Sequence, residues 1–207
     1  MQRNSISQLY EQAFTRGAAL RIGGRDLRFS VVRVGTLYLP SGQIVACDPL
    51  VGQEREPFIQ AVLPGRYPVD LSLGLDVAAD VERVVLARIL FTRNNPVIWI
   101  KALRRNEAHL ASDDGTSFGF LVNSGTAAFM DKETADLFHL DSMDEVDQFL
   151  DLLVANYRPE RNWLNHAIDD EHNVILFSAR QGESPCPSYF AIDDAGDICL
   201  ALTKIRF

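Results

Sequence analysis

The strongest constraint on the fold is a series of short apolar runs that are separated by turn residues. Residues 28–49 read RFSVVRVGTLYLPSGQIVACDP, where two runs rich in β-branched and aromatic residues flank Pro40-Ser41-Gly42. This pattern predicts a β-hairpin that closes at Asp48-Pro49. Pro64-Gly65 marks another turn between strand-like pieces of the chain. Strands therefore follow strands through the first half of the sequence.

The later apolar runs extend the same pattern. ERVVLARILFT fits either a helix or a strand by its pattern. Its β-branched content and the Asn94-Asn95-Pro96 turn before VIWIKAL favour two strands that pair with each other. Near the end, NVILFSA and PSYFAIDDAGDICLALTKI predict three closing strands. The last two of these strands are joined through the turn Asp194-Ala195-Gly196.

Helices are predicted at three places. The spacing of apolar residues in 6–16 predicts a short amphipathic helix, and KETADLFH predicts another over about 132–139. The clearest helix begins at Ser142, which forms a capping box with Glu145. Its apolar face has helical spacing and comprises Val146, Phe149, Leu150, Leu153 and Tyr157.

These patterns predict an α+β fold that is mostly antiparallel β-sheet and sandwich-like, with an N-terminal helix and a late acidic helical pair. We predict one domain over residues 1–207, with a β-rich core at about 28–130 and 173–207 and a helical insert at about 132–158. A doubly wound parallel sheet is disfavoured because the strands do not alternate with helices. The hydrophobic share of 47% supports a core of this size.

The negative charge of the chain is concentrated in one segment. The formal charge is −8, and eight acids face only Lys132 between Asp131 and Asp151, which leaves −1 for the rest. Nucleic acid is disfavoured as a partner because phosphate binding requires a basic surface. No apolar run reaches 18 residues, so no membrane span is predicted. The first residues lack the apolar stretch of a secretory signal.

The cysteines predict a reducing compartment, and we therefore expect a cytoplasmic protein. Their number is odd and no CxxC spacing occurs, so a disulfide framework and a zinc site are both disfavoured. Cys47 and Cys199 lie in predicted strands and are expected to be buried. Cys186 lies between two prolines and is expected to be more exposed.

The stretch FLVNSGTAAFMD raises the question of a nucleophile. Asn123, Ser124, Gly125 and Thr126, with the nearby Asp131, form a candidate turn or ligand site. A nucleophile elbow requires glycine two residues before and two residues after the serine, whereas Val122 and Thr126 occupy those positions. Asn, Gly and small hydroxyl residues are common in turns. We favour the turn interpretation, and we predict no catalytic residue.

Other chemically capable residues also favour a structural interpretation. NHAIDDEHN contains His166 and His172 with intervening carboxylates, but its spacing matches no recognised metal motif. Asp113-Asp114 and Asp193-Asp194 each lie beside glycine in predicted turns. We expect no metal site and no cofactor.

Several blocks of the sequence resemble a known family. LPSGQIVACDPL, LPGRYPVDLSL, NSGTAAFMD, NVILFS and PSYFAIDDAGDICLAL occur in the order seen in a bacterial family catalogued as domain of unknown function 4241. The resemblance covers most of the chain from about residue 36 and implies the fold without an activity. Family members often carry a Gly-rich, Trp-containing run after the FS strand. Here ARQGESPC, from Ala179 to Cys186, stands in that place and keeps only Gly182.

The sequence is compatible with three functions. The cluster of acidic residues between Asp131 and Asp151 predicts a non-enzymatic binding protein of the immunity or antitoxin type that captures a basic partner protein. The predicted partner-binding residues are Asp141, Asp144, Glu145, Asp147 and Asp151. The alternatives are a hydrolase that uses Ser124 or a metal near His166 and His172, and a small module that binds a ligand between its strands.

Overall fold

The computed structural model describes residues 9–51, 55–112, 117–140, 142–156, 163–179 and 182–205. Antiparallel strands dominate these residues, and helices are few. The strands, in chain order, are β1 (Ala19–Ile22), β2 (Arg25–Leu39), β3 (Ile44–Cys47), β4 (Gly65–Asp76), β5 (Val81–Leu90), β6 (Ile98–Lys101), β7 (Phe120–Val122), β8 (Thr126–Asp131), β9 (Trp163–Ala167), β10 (Asn173–Ser178), β11 (Gly182–Cys186), β12 (Ser188–Ile192) and β13 (Ile198–Lys204). The helices are α1, described over residues 9–13, α2 (Lys132–Leu137) and α3 (Met143–Asn156), with a 3-10 helix at Arg105–Ser112.

Two sheets form the centre of the molecule. The larger has seven strands in the order β1-β2-β4-β5-β13-β12-β6, and the smaller has four in the order β3-β8-β10-β9. Fully buried side chains of both sheets pack in one hydrophobic cluster, which includes Leu37, Ile89, Phe129, Phe177 and Phe190. The α+β, mostly antiparallel fold predicted from the sequence is confirmed.

Helices cover the remaining sheet faces. On the smaller sheet, Phe138 follows α2 and packs with Phe149 and Leu153 of α3 against strand residues such as Met130 and Leu176. On the larger sheet, α1 contributes Tyr10 and Ala13 to a separate cluster with residues of β2, β5, β12 and β13. No helix among the described residues is both long and apolar enough to cross a bilayer.

The predicted hairpin over residues 28–49 is wrong. β2 pairs with β1 and β4 in the larger sheet, whereas β3 pairs with β8 in the smaller one. The chain changes sheets at the Pro40-Ser41-Gly42 turn, where Gly42 has φ +73° and an added Cβ would lie 2.1 Å from the Val62 carbonyl oxygen. All four residues of β3 are buried, so its continuous apolar run reflects burial on both faces and not pairing with its neighbour in sequence.

Two other local predictions also differ from the structure. β5 and β6 are strands, as the sequence predicts, but β13 and β12 lie between them in the sheet. Cys186 is buried, with 3% of its surface exposed, although it lies between two prolines. Sequence neighbours cannot reveal such long-range partners. The hairpin of β12 and β13 is confirmed, and so are the two late helices, which span 132–137 and 143–156. Tyr157, predicted on the second helix, lies outside the described residues.

Candidate functional site

The Asn123-Ser124-Gly125 stretch is the bend that joins β7 to β8. Asp48 directly follows β3, which pairs with β8, and its side chain is hydrogen-bonded to this bend. Only 8% of its surface is exposed. Its Oδ2 accepts hydrogen bonds from the backbone N–H groups of Asn123 at 2.8 Å and Ser124 at 2.7 Å. Its Oδ1 accepts another from the Leu50 N–H at 3.0 Å. One carboxylate therefore fixes two connections of the chain.

The Ser124 hydroxyl is part of the same network. Its Oγ donates to Asp48 Oδ1 at 2.7 Å and accepts from the Thr126 N–H at 3.1 Å. A nucleophilic serine requires a base that removes its proton, most often histidine. In the described structure the hydroxyl is engaged by a carboxylate and a backbone amide, which is the arrangement of a turn. Sequence reasoning missed Asp48, whose only signal was its position before Pro49.

Asp131 has a similar structural role at the other end of β8. It is fully buried and is the N-cap of α2, where its Oδ1 accepts from the Glu133 N–H at 2.8 Å. The Ser41 hydroxyl donates to the same oxygen at 2.7 Å, and the Ser41 N–H donates to Oδ2 at 3.1 Å. This carboxylate therefore anchors the turn at which the chain changes sheets, and its contacts leave it no role at the surface.

The two histidines of NHAIDDEHN lie in different environments. The His166 ring packs against Phe149 with ring centroids 5.5 Å apart, and burial lowers its pKa. His172 Nδ1 lies 2.9 Å from Asp169 Oδ1, and this hydrogen bond raises the pKa of His172. Its Nε2 lies 3.9 Å from Glu133 of α2.

In the described parts of the chain, no three His, Cys, Asp or Glu side chains are arranged to hold a metal ion. Asp193 instead organises the turn between β12 and β13, because its Oδ1 accepts from the N–H groups of Ala195 and Asp197, each at 3.0 Å. Asp113-Asp114 lies outside the described residues. The three cysteines are buried and form no disulfide, and burial raises the pKa of Cys47 to about 12.

The profile of the family described as "Protein of unknown function (DUF4241)" matches residues 37–203. The chain belongs to this family. No curated protein matches this DUF4241 chain, and no solved structure matches it either. Of the stretch from Ala179 to Cys186, residues 182–186 form β11, which pairs with β7, and residues 180–181 lie outside the described residues.

Helix α3 presents a different kind of surface in this DUF4241 protein. Ser142 and Glu145 form the predicted capping box, with the Glu145 N–H donating to Ser142 Oγ at 3.2 Å and the Ser142 N–H donating to Glu145 Oε2 at 3.0 Å. Phe149 and Leu153 are the buried residues of the helix. The helix thus attaches along one narrow stripe and leaves its opposite side to solvent.

The exposed side of α3 combines acids with apolar residues. At 100° per residue, Asp144 and Asp151 point opposite to the buried stripe, and Asp147 lies beside them. Adjacent to these acids are Met143, 74% exposed, and Val154, 73% exposed. We call this surface the α3 ridge, and it comprises Met143, Asp144, Asp147, Leu150, Asp151 and Val154, all exposed. No Lys, Arg or His occurs in α3, and Asp141 lies outside the described residues.

A second acidic run follows β9, the edge strand of the smaller sheet. The contact between His172 and Glu133 places the exposed residues Asp169, Asp170 and Glu171 next to α2. α3 packs on the neighbouring strand β9 through Phe149 and His166. The two acidic segments are therefore linked through contacts with α2 and β9. The Asp170 carbonyl also accepts a hydrogen bond from Arg66 Nη2 at 3.2 Å, so the second run lies beside a base of β4.

Proposed function

We propose that this chain is a non-enzymatic binding protein that captures a basic partner protein on the α3 ridge, in the manner of an immunity protein or an antitoxin. The observation that carries the proposal is the combination of three uncompensated aspartates with exposed apolar side chains on one helix face. Asp144, Asp147 and Asp151 form no hydrogen bond or ion pair with the described part of the chain. Their charge is therefore available to a partner.

The ridge has the composition of an interface. Exposed Met143, Leu150 and Val154 supply apolar area of the kind found at the centre of protein interfaces. The neighbouring aspartates would steer a basic surface toward that area, because complementary charge raises association rates. A partner that presents Lys or Arg around an apolar patch would match both features.

The contacts of the other candidates favour structural roles. The Ser124 hydroxyl is held in a turn by Asp48, and His166 packs between aromatic side chains of α3 and the α2 end. His172 is bonded to its local loop through Asp169. No contact of these residues supports hydrolysis over binding.

The test compares charge removal on the ridge with equal charge removal elsewhere. The ridge variant carries Asp144→Asn, Asp147→Asn and Asp151→Asn. Its matched control carries Asp80→Asn, Asp194→Asn and Asp197→Asn, three exposed residues in turns of the larger sheet. Immobilised wild type is used to capture proteins from the native lysate at low and moderate salt, and retained proteins are identified by mass spectrometry. The captured protein is then purified, and its dissociation constant is measured for all three chains.

We expect a basic protein whose affinity falls about tenfold or more in the ridge variant and less than about twofold in the control. The loss should lie mainly in the association rate and should shrink as salt rises, because exposed charges are screened. A Met143→Ser, Val154→Ser variant should instead weaken binding at all salt concentrations. Equal affinity for ridge variant and control, or salt-independent binding, would contradict the proposal.

A further inference from the structure

A cavity lies on the opposite side of the molecule, between α1 and the outer face of the larger sheet. Its volume is about 580 Å³, which is in the range of pockets that enclose small organic ligands. Ser72 of β4 donates a hydrogen bond from its hydroxyl to the Ala13 carbonyl and so fixes the end of α1 over the sheet. The cavity is therefore formed by elements that are tied together, and it is remote in the fold from the α3 ridge.

The apolar part of the cavity comes from registered strand pairs and aromatic side chains. Leu90 of β5 pairs with Leu200 of β13, and both line the cavity. Tyr10 and Phe14 line it from the side of α1, and Trp99 lines it from β6. The rings of Tyr10 and Trp99 lie 5.1 Å apart in an edge-to-face arrangement. Such a lining favours a planar ring, because ring pairs gain from these offset and edge-on contacts.

Positive charge is arranged across the neighbouring strands. Asp70 of β4 lies between Arg33 of β2 and Arg88 of β5 in the strand register. Its carboxylate accepts from Arg33 Nε at 2.5 Å and from Arg88 Nη2 at 3.0 Å. Two guanidinium groups therefore share one buried carboxylate, and the three side chains together carry a net charge of +1. The Arg88 guanidinium also lies 4.0 Å from the centre of the Phe14 ring, which fixes its orientation beside the cavity.

The cavity has a net positive lining in a chain of net charge −8. Arg88 and Arg93 line it together with one acid, Glu11. Arg93 is exposed, and among the described residues its guanidinium has no hydrogen-bond or ion-pair partner, so it is available to a ligand. Polar side chains of Asn94 and Asn95 lie at the same wall. Aromatic surface next to guanidinium groups is suited to a ring that carries a negative group.

We propose that this cavity binds a small planar aromatic anion, such as an aryl carboxylate, with its ring among Tyr10, Phe14 and Trp99 and its negative group toward Arg88 and Arg93. The inference is independent of partner binding at the α3 ridge. It requires no covalent step and no cofactor.

The experiment uses naphthalene-1-carboxylate as the probe and 1-naphthylmethylammonium as its cationic counterpart. A Trp163→Phe background leaves Trp99 as the single tryptophan, so that quenching of its fluorescence reports on this cavity. Arg93→Gln removes the exposed guanidinium. Arg105→Gln removes an exposed guanidinium of the 3-10 helix, outside the cavity lining, and is the matched control.

We expect saturable quenching by the carboxylate, with at least about tenfold weaker affinity for the ammonium probe. Arg93→Gln should weaken carboxylate binding about threefold to tenfold, and Arg105→Gln should leave it within about twofold. Circular dichroism and thermal melts check that each variant is folded. Absence of saturable quenching, equal affinity for both probes, or equal effects of the two arginine variants would each overturn the proposal.

Discussion

Aspartates in two regions beside the smaller sheet differ in their burial and in their hydrogen bonding. Asp48 and Asp131 are buried at strand ends, and each accepts several hydrogen bonds from backbone N–H and hydroxyl groups. Asp144, Asp147 and Asp151 on α3 are exposed, and no described residue bonds to them. The same side chain stabilises the fold in the first region and offers charge to solvent in the second.

This difference shows how a structural acid can be separated from one available for binding. A buried carboxylate that satisfies several donors is held in one orientation, and its loss leaves those donors without partners. An exposed carboxylate on a helix contributes little to stability. Burial and hydrogen bonds, which are decided by distant parts of the chain, therefore divide the acids more clearly than their density along the sequence.

The largest effect is expected at Asp48. Asp48→Ala leaves the N–H groups of Leu50, Asn123 and Ser124 without their acceptor, and we expect the free energy of unfolding to fall by about 3 kcal/mol. Asp48→Asn keeps one acceptor oxygen and should cost about half as much. The triple Asn variant of the α3 ridge removes more charge but should change stability by less than about 1 kcal/mol. Urea denaturation measures all three, and similar losses at the two regions would remove the distinction drawn between them.

A smaller effect is expected at the start of α3. Ser142→Ala removes one half of the capping box and should reduce stability by about 1 kcal/mol, with faster amide hydrogen exchange in the first turn of the helix. Gln148→Ala, at an exposed position of the same helix, is the control and should be neutral or slightly stabilising. If Ser142→Ala leaves exchange in α3 unchanged, the capping contact does not hold the ridge in place.

The smallest effect is a pH dependence with opposite signs at the two histidines. Bonding to Asp169 raises the pKa of His172, so its contribution to stability is complete below pH 6.5 and disappears as pH rises through the folded-state pKa. Burial lowers the pKa of His166, so its contribution is present above pH 6.5 and is lost as pH falls through its folded-state pKa.

Urea denaturation of His172→Gln and His166→Gln between pH 5 and 8.5 measures this contrast. The stability difference from wild type should shrink with rising pH for His172→Gln and should grow with rising pH for His166→Gln. Parallel profiles for the two variants would show that the two environments do not differ as the contacts indicate.

Local signals predicted the elements whose cause is local. The capping box of Ser142 and Glu145, the turn between β12 and β13, and the bend at Asn123-Ser124-Gly125 each depend on residues within a few positions of one another. The role of Asp48 was not predicted, because its partners Asn123 and Ser124 lie more than 70 residues away in the sequence. The pairing of β3 with β8 was not predicted for the same reason.

The sequence by itself determined the fold class, the family, the strand-rich texture and the acidity of α3, because periodicity, turn chemistry and charge act over short distances. Only the tertiary structure decided which strands are neighbours, which aspartates are buried, and that α1 encloses a cavity beside the Arg33–Asp70–Arg88 contact. Those outcomes depend on side chains meeting across sheets, where burial requires every polar group to find a partner. The position of a residue along the chain does not indicate which distant group will be its partner.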